Sequence, residues 1–504
     1  MRKFLERFEG EILKYATALL ILAVPLYPKF PLIRIPGSWV SVRLEDFLIA
    51  VIFLFWLQTI IPRRHEFFKN TLNRLFLIYF AIGFLSFLTA VLVTKSVSLN
   101  LGFLHTLRRI EYMGVFFIAV SSVRKPKDLL FYFEVFFLTV FLVFLYGIGQ
   151  KFFGLPVIST MNVEFAKGLA LHYMPGARVN ATFAGHYDLG AWLVLLVPII
   201  VATFFTFKKI WQKLLTLLVF LSSFWLLLAS ASRISFAAYL VTITLTLWFI
   251  KRKAWILPIL IISIFASFFS TPLASRYSQA FQVSVGKFFR ENNIRIETTA
   301  LVELKEKFIQ KPTPTPTPTP IPVPQPPAAP PGKKTVPPKP KRYILPTPTP
   351  TPSASKDKRY FYYGGGDEAP PEDRSTAIRI NVEWPRALRA FAKSPLLGTG
   401  FSSITLATDN DYLRSLGEVG LLGFITFTTI LGLIFWQGIK IFYSEKKENL
   451  WFFTIGILGG MLGFFANAFF IDVFEASKAA ITFWLLSGLL VGISRLKLLS
   501  EKER

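Results

Sequence analysis

Residues 408–424 read TDNDYLRSLGEVGLLGF and join a polar segment to an apolar run long enough to cross a membrane. Four ionisable side chains stand at this boundary: Asp409, Asp411, Arg414 and Glu418. Charges at a membrane boundary are costly unless they are solvated, paired or used in function. One interpretation is a solvated helix end, with Asp409 or Asp411 as the N-cap and glycines that permit close helix packing. The other interpretation is a functional site at the membrane surface.

The composition of the chain is that of an integral membrane protein. Its 504 residues are 53% hydrophobic and include 54 phenylalanines, whereas only 17% are charged. The first apolar run has a basic flank but no small-residue cleavage site, so we expect a retained helix and not a signal peptide. The sequence therefore predicts an all-α, polytopic membrane protein with about twelve transmembrane helices. The predicted helices cover residues 12–28, 45–62, 74–94, 110–123, 128–149, 186–207, 211–230, 234–250, 254–271, 416–441, 450–471 and 478–495.

The distribution of Lys and Arg predicts how the chain is oriented. Basic clusters fall on every second connection between apolar runs, and positive charge favours the cytoplasmic side of a membrane. We therefore expect a multi-pass protein of the plasma (inner) membrane with both termini in the cytoplasm. The clusters are Arg2, Lys3 and Arg7; Arg63, Arg64 and Lys69; Arg124, Lys125 and Lys127; Lys208, Lys209 and Lys213; Lys251, Arg252 and Lys253; Lys446 and Lys447; and Arg495, Lys497 and Lys502.

The same composition argues against several classes of function. The net charge of +26 comes from these short clusters, and no basic helix is interleaved with stacking aromatics, so we expect no nucleic-acid partner. Cysteine is absent, which excludes a disulfide framework and a cysteine-based metal site. The four histidines are too few for a histidine-rich metal centre. We therefore expect neither a metal ion nor a cofactor.

The predicted domain organisation has three parts. Residues 1–271 hold about nine transmembrane helices and residues 413–504 hold about three, each long enough to span a bilayer. Between them, residues 272–412 form a large extracytoplasmic loop.

The composition of this loop changes along its length. Residues 283–309 and 375–394 have helical patterning. Residues 311–352 contain repeated Pro-Thr pairs, which cannot bury a core and favour a solvated polyproline-like tether. An O-glycosylated stalk or a proline-rich docking site are alternative uses of the same segment.

The order of residues in the opening stretch resembles a known motif. Asn410, Tyr412-Leu413, Glu418 and the glycines at 420 and 423 match the terminal His-Asn-x-Tyr-Leu…Glu-x-Gly-x-x-Gly pattern of the O-antigen ligase and O-antigen polymerase superfamily. The position where the family usually has His is Asp409 in this chain.

A second match precedes the first, as it does in that family. Residues 379–388 (RINVEWPRAL) and 394–400 (SPLLGTG) resemble its Arg…Trp-x-x-Ala-Leu…Pro-Leu-x-Gly-x-Gly segment. Arg379 stands five residues before Trp384, where the family spacing is four, so Arg386 or Arg374 could substitute for it.

Two earlier segments also resemble the family. Residues 228–238 (LASASRISFAA) are similar to its Ser-Arg-Gly-Ala turn and place Arg233 at the outer face. Residues 175–188 (PGARVNATFAGHYD) are similar to its Arg…Gly-Thr-Phe…Asn segment and contain Arg178 and His186. The alternative interpretations are an arginine that anchors a helix end at the interface and a polar loop that caps the next helix.

The resemblance implies a GT-C-like helical bundle and a metal-independent glycosyltransferase. Its donor would be a polyprenyl-pyrophosphate-linked glycan, transferred with inversion to a glycan, lipid or protein acceptor outside the membrane. Arginine stays protonated and forks onto phosphate oxygens, so the four arginines at 178, 233, 379 and 386 are candidates to hold the pyrophosphate. Asp409 or His186 would take the proton of the acceptor hydroxyl, and the alternative roles of Asp409 are to orient the acceptor or to bind a cation.

The same resemblance gives the neighbouring polar residues lesser roles. Asn410, Tyr412 and Glu418 are candidate substrate-binding residues, and Glu418 is also placed to orient a neighbouring side chain such as an arginine.

Three alternative functions remain: a protein O-oligosaccharyltransferase of the same superfamily, a transporter or flippase for lipid-linked glycans, and a scaffold that presents the proline-rich segment. A transporter is expected to carry its charges at the membrane midplane on broken helices, whereas these charges stand at the outer rim, with Glu134 as the exception.

Overall fold

A computed structural model describes residues 2–34, 41–160, 168–174, 176–269, 374–404, 407–444 and 448–502. On both sides of the gap at 270–373, the described residues pack into one compact unit. The helix predicted at 283–309 and the proline–threonine tract at 311–352 lie outside the described residues.

The described residues before this gap are mainly helical, and they include two short antiparallel strand pairs, in which Ile33 pairs with Val42 and Val157 pairs with Leu171. Their elements, in order, are α1 (Arg2–Leu26), β1 (Ile33–Arg34), β2 (Ser41–Val42), α2 (Leu44–Ile60), α3 (Arg64–Lys69), α4 (Thr71–Leu92), α5 (Leu99–Ser122), α6 (Pro126–Phe152), β3 (Val157–Ile158), β4 (Ala170–Leu171), α7 (His186–Thr206), α8 (Ile210–Ser230), α9 (Arg233–Phe249) and α10 (Ile256–Phe269).

The chain after the gap begins with a short helical segment that contains a π-helical turn. The elements are α11 (Arg374–Ile378), the π turn (Arg379–Glu383), α12 (Trp384–Lys393), α13 (Asp411–Ser444), α14 (Glu448–Ala468) and α15 (Ser477–Lys502). The helical pattern predicted at 375–394 corresponds to the first three of these elements.

The described residues form a helical membrane protein. They include eight helices that are long and apolar enough to cross a bilayer: α2 with α3, α4, α6, α7, α8, α13, α14 and α15. Helices α9 and α10 are apolar but shorter. Helix α5 carries His105, Arg108, Arg109 and Glu111 near its middle, which leaves only residues 112–122 as an uncharged run. Each of the twelve apolar runs predicted from the sequence overlaps a helix. That about twelve helices cross the membrane stays a prediction.

Local sequence signals explain where several helices begin. The side chain of Asn70 accepts hydrogen bonds from the backbone N–H groups of Leu72 and Asn73 at the start of α4. Ser232 accepts one from the N–H of Ser235 at the start of α9. These are N-caps, which satisfy donors that have no partner inside the helix.

Helix α7 lies at the centre of the bundle, and 83% of its most apolar 18-residue stretch is buried inside the protein. Glycines on α14 let the two helices approach closely. A Cβ atom at Gly460 would lie 2.1 Å from the carbonyl oxygen of Leu195, and one at Gly456 would lie 2.8 Å from the Cα of Ile199. Small residues of this kind allow backbones of membrane helices to pack directly against each other.

The basic clusters near the first helices meet at one end of the bundle. Lys14 of α1 pairs with Asp128 of α6 at 2.8 Å, and Arg63 pairs with Glu9 at 3.5 Å. These pairs bring the α2–α3 and α5–α6 connections beside the N-terminal half of α1. We call this the basic end, and the opposite end, where α7, α9 and α13 begin, the motif end.

Candidate functional site

Helix α13 is broken near the motif end at Gly420, whose backbone angles are φ 66° and ψ −171°. Residues 395–400, the Pro-Leu-Leu-Gly-Thr-Gly run, lie against the break and bond to its exposed backbone groups. Four hydrogen bonds between backbone groups join the two segments: Thr399 N to Gly417 O (3.0 Å), Gly400 N to Glu418 O (2.8 Å), Leu421 N to Pro395 O (2.8 Å) and Leu422 N to Leu396 O (3.2 Å). The second motif and the terminal motif therefore form one structural unit.

Glycine is required at this crossing for steric reasons. A Cβ atom at Gly398 would lie 2.4 Å from the carbonyl oxygen of Glu418, and one at Gly420 would lie 2.4 Å from that of Leu396. Both glycines also have positive φ, 70° and 66°, which side chains disfavour. The two glycines allow two backbones to touch, so their presence follows from the fold.

The start of α13 corrects one expectation from the sequence. The N-cap is Asn410, whose Oδ1 accepts the N–H of Leu413 at 2.9 Å, and not Asp409 or Asp411. The two carboxylates point elsewhere because each has a partner outside the helix. Asp411 Oδ2 accepts the backbone N–H of Phe474 at 3.0 Å, from the loop that follows α14.

Asp409 forms an ion pair with Arg379 of the π turn. Both Nε and Nη2 of Arg379 donate to Asp409 Oδ2, at 3.0 Å and 2.7 Å. The arginine is buried, whereas the aspartate side chain is 28% exposed. Burial raises the pKa of Asp409, the charge of Arg379 opposes that effect, and the nearby carboxylate of Asp472 adds to it. The structure thus brings together two of the residues singled out in the sequence.

Asp472 holds the terminal motif in place from the α14–α15 loop. Its two oxygens accept the backbone N–H groups of Thr408 at 2.8 Å and Asn410 at 3.2 Å. Asp472 also accepts Nη2 of Arg414 at 3.1 Å. Arg414 in turn donates to Glu418 Oε1 at 3.2 Å, so Glu418 does contact a neighbouring arginine.

A further ion pair, between Arg109 of α5 and Glu475, extends this network. Burial acts to raise the pKa of Glu475, but the charges of Arg109 and Arg414 lower it to about 2. A cavity of about 20 Å³ lies between Arg109, Arg414, Glu418 and Glu475. That volume holds about one water molecule, so the cavity is too small to receive a sugar. The charged side chains around it pair with one another and hold the surrounding helices together.

Arg178 and His186 also meet at the motif end. Nη1 of Arg178 lies 2.8 Å from Nε2 of His186. Because a guanidinium can only donate, Nε2 must accept, which places the proton of a neutral imidazole on Nδ1. Val179 N donates to Ala229 O at 3.1 Å, so Arg178 stands beside the turn between α8 and α9.

Arg233 begins α9 directly after this turn. Its side chain is half-buried. The N-cap before it, Ser232, donates its hydroxyl to Ser235 Oγ at 2.8 Å. Ser235 Oγ donates to Oδ1 of Asn467, near the end of α14, at 2.8 Å. The loop that contains Asp472 starts just after that asparagine.

The residues expected to bind substrate contact other parts of the protein. Tyr412 donates its hydroxyl to the carbonyl oxygen of Phe465 at 3.1 Å and packs its ring against Phe469 at 4.5 Å between centroids. Asn410 is the helix cap, and Glu418 is only 2% exposed. Asn410, Tyr412 and Glu418 therefore hold the start of α13 in place.

Arg386 differs from these three residues, because its Nη1 atom is buried and has no hydrogen-bond partner among the described residues.

Sequence reasoning missed four charged residues of this region: Arg109, Glu383, Asp472 and Glu475. A signal existed for three of them. The short loop between α14 and α15 holds two carboxylates between apolar runs, and Arg109 is an arginine at the end opposite the basic clusters. Charges in such places are disfavoured unless they are paired or used in function. Glu383 carried no such signal because it lies in a polar segment.

No group of three or more His, Asp or Glu side chains in the described residues is arranged to hold a metal ion. Comparison with known proteins gives no further guide, since neither a protein-family model nor a curated protein matches the chain. The functional argument is therefore carried by the residues and their geometry.

Proposed function

We propose that this protein is a membrane glycosyltransferase that moves a polyprenyl-pyrophosphate-linked glycan onto an acceptor outside the membrane. The proposal rests on the resemblance of its motifs to the O-antigen ligase and O-antigen polymerase superfamily. One observation carries it: Arg379, Asp409 and Asp472, which come from three separate segments, lie together at the motif end. A structural helix cap needs only Asn410 and gives no reason for a buried arginine beside it.

The chemistry of the donor explains why arginines are needed there. As the glycosidic bond breaks, negative charge grows on the departing pyrophosphate, and fixed cations in a low-dielectric site stabilise it. Arg178, Arg233, Arg379 and Arg386 supply such cations in the proposed reaction. The motif end then faces the outside of the plasma (inner) membrane, and the basic end and both termini face the cytoplasm.

The acceptor is a surface glycan in a polymerase, a lipid anchor in a ligase, or a protein hydroxyl in an O-oligosaccharyltransferase. In each case the acceptor oxygen bonds to the anomeric carbon, and the bond from that carbon to the phosphate oxygen breaks. The hydroxyl proton passes to a base on the protein, and polyprenyl pyrophosphate leaves. The three reactions share these steps, and they differ in the acceptor and therefore in the glycosylated product.

A second candidate function is transport of the lipid-linked glycan, because of the break in α13. Transporters bind substrates at discontinuous helices, and this break carries the buried charges of Arg414 and Glu418. The break is occupied, however, since residues 395–400 already bond to its backbone groups. This occupation favours the enzyme over the transporter.

The test is to incubate purified protein with a fluorescent lipid-linked oligosaccharide and three acceptors: a free glycan, a lipid anchor and a peptide rich in serine and threonine. We expect one glycosylated product and an equal amount of released polyprenyl pyrophosphate. Arg233→Ala and Arg379→Ala should abolish both. Movement of intact lipid-linked oligosaccharide across proteoliposomes, without any product, would show a flippase instead.

A further inference from the structure

Glu383 ends the π turn that begins at Arg379, two residues before Pro385 in α12. Its side chain is half-buried, and its Oε2 atom is fully buried without a hydrogen-bond partner among the described residues. π-Helical turns interrupt regular helices and are frequent at functional sites. The unpaired oxygen is notable because buried carboxylate oxygens are normally hydrogen-bonded.

Charged groups surround this carboxylate from three elements. Arg379 and Arg386 lie on its own helical segment, Asp409 lies in the loop before α13, and Asp472 lies in the loop after α14. Burial, and then the negative charges of Asp409 and Asp472, raise the pKa of Glu383 to about 7, against the opposing effect of the two arginines. A general base is most effective when its pKa is near the working pH.

The two bases suggested by the sequence are both already bonded to cations. Asp409 accepts two N–H groups of Arg379 on one oxygen. Burial raises the pKa of Asp409, but these two bonds oppose that rise and occupy the oxygen that would take the proton. The Nε2 lone pair of His186 faces the Arg178 guanidinium. Because that lone pair already accepts an N–H of the guanidinium, it is not available to take a proton from the acceptor hydroxyl.

We propose that Glu383 is the general base of the glycosyl transfer, and that Asp409 is a positioning residue that holds Arg379. This inference rests on the proposed function. The acceptor hydroxyl gives its proton to Glu383 as its oxygen bonds to the anomeric carbon, and the electrons of the breaking bond leave with the pyrophosphate. Arg379 and Arg386 flank the base in sequence, so the pyrophosphate site and the base adjoin on one helical segment.

The experiment compares single-turnover transfer by the wild type, Glu383→Gln, Glu383→Asp and a matched control, Glu66→Gln, which is an exposed residue of α3. We expect the wild-type rate to rise with pH and level off above about 7, as Glu383 ionises. Glu383→Gln should be slower by about 100- to 10,000-fold, the range for loss of a general base. It should lose this pH dependence while its affinity for the fluorescent donor is unchanged. Glu383→Asp should recover part of the rate, and Glu66→Gln should match the wild type.

Each contrary result has a distinct meaning. If Glu383→Gln binds donor and keeps both the rate and the pH dependence, Glu383 is not the base and the inference is wrong. If Glu383→Gln and Glu383→Asp are equally slow and bind donor poorly, Glu383 has a structural role and the inference is again wrong. A wild type that makes no glycosylated product would instead overturn the proposed function, and the inference with it.

Discussion

If the chain belongs to the superfamily that we propose, Asp409 replaces a histidine, and its contact with Arg379 gives a physical account of that replacement. A carboxylate oxygen can accept two N–H groups of one guanidinium, as Asp409 Oδ2 does at 3.0 Å and 2.7 Å. An imidazole nitrogen has a single lone pair and can accept only one. An aspartate at this position is therefore suited to hold an arginine in a fixed orientation.

This geometry predicts the behaviour of Asp409→Asn. The variant keeps the size of the side chain but removes the charge that orients Arg379, so the KM for the lipid-linked donor should rise. The pH dependence near 7 should remain because Glu383 is intact. Steady-state kinetics between pH 5 and 9 would measure both effects. Loss of the pH dependence in Asp409→Asn would identify Asp409, and not Glu383, as the base.

Glu475 makes a different prediction, about stability and pH. Its pKa in the folded protein, about 2, lies below the ordinary value of 4.5. A lowered carboxyl pKa stabilises the fold at pH values above the ordinary pKa of the group. This stabilisation is lost as the pH falls from about 4.5 to about 2. Glu475→Gln should therefore lower the free energy of unfolding at pH 7 by about 3 kcal/mol, since it leaves Arg109 without its charge partner.

Unfolding of the detergent-solubilised protein across this pH range is the measurement. The wild type should lose stability faster than Glu475→Gln as the pH falls, so the two curves should converge. If the stability curves of the wild type and Glu475→Gln stay parallel across this pH range, the ion pair between Arg109 and Glu475 contributes nothing to the free energy of unfolding.

At the scale of an element, the break in α13 depends on a segment that precedes it in the chain. Residues 395–400 supply the partners for backbone groups that an unbroken helix would satisfy by itself. The sequence could not show this, because residues 416–441 read as one continuous apolar run. The helices themselves were predictable, since their apolar runs and caps are local signals.

The glycines of this crossing provide a matched set of substitutions. Gly398→Ala and Gly420→Ala each place a Cβ atom 2.4 Å from a carbonyl oxygen, so each should destabilise the protein by at least about 2 kcal/mol. Gly432→Ala lies on the same helix with no atom within 4 Å of the new Cβ. It should be neutral or stabilising by up to about 1 kcal/mol, because alanine favours helix. Melting temperatures in detergent compare the three, and equal values would contradict the steric argument.

The candidate site was only partly predictable for a related reason. Arg379, Asp409 and Arg178 could be found because they stand in motif-like stretches. Asp472 and Arg109 could not be joined to them, because the contacts depend on how α5 and the α14–α15 loop pack against the start of α13. The partners of a buried charge are set by tertiary structure, and a single sequence does not contain that information in local form.

At the scale of the whole molecule, the two ends of the bundle differ in chemical character. The basic end holds lysine and arginine clusters in short connections, and the motif end holds paired carboxylates and buried arginines. This asymmetry predicts one orientation in the membrane.

Because the chain has no cysteine, single introduced cysteines can report that orientation. Ala407→Cys places an exposed thiol at the motif end, and His65→Cys places one at the basic end. A membrane-impermeant maleimide added to intact cells should label Ala407→Cys at once and His65→Cys only after the membrane is permeabilised. The reverse pattern would place the candidate site on the cytoplasmic side and contradict the proposed transfer to an acceptor outside the membrane.

The backbone crossing at Gly398 and Gly420 also bears on how such proteins are recognised from their genes. Glycines that serve a crossing of two backbones are needed by any chain that keeps the crossing, whatever chemistry it performs. A sequence search that relies on these two glycines would therefore collect chains with the same backbone crossing. The charged side chains beside the crossing have to be compared separately before a function is assigned to any of them.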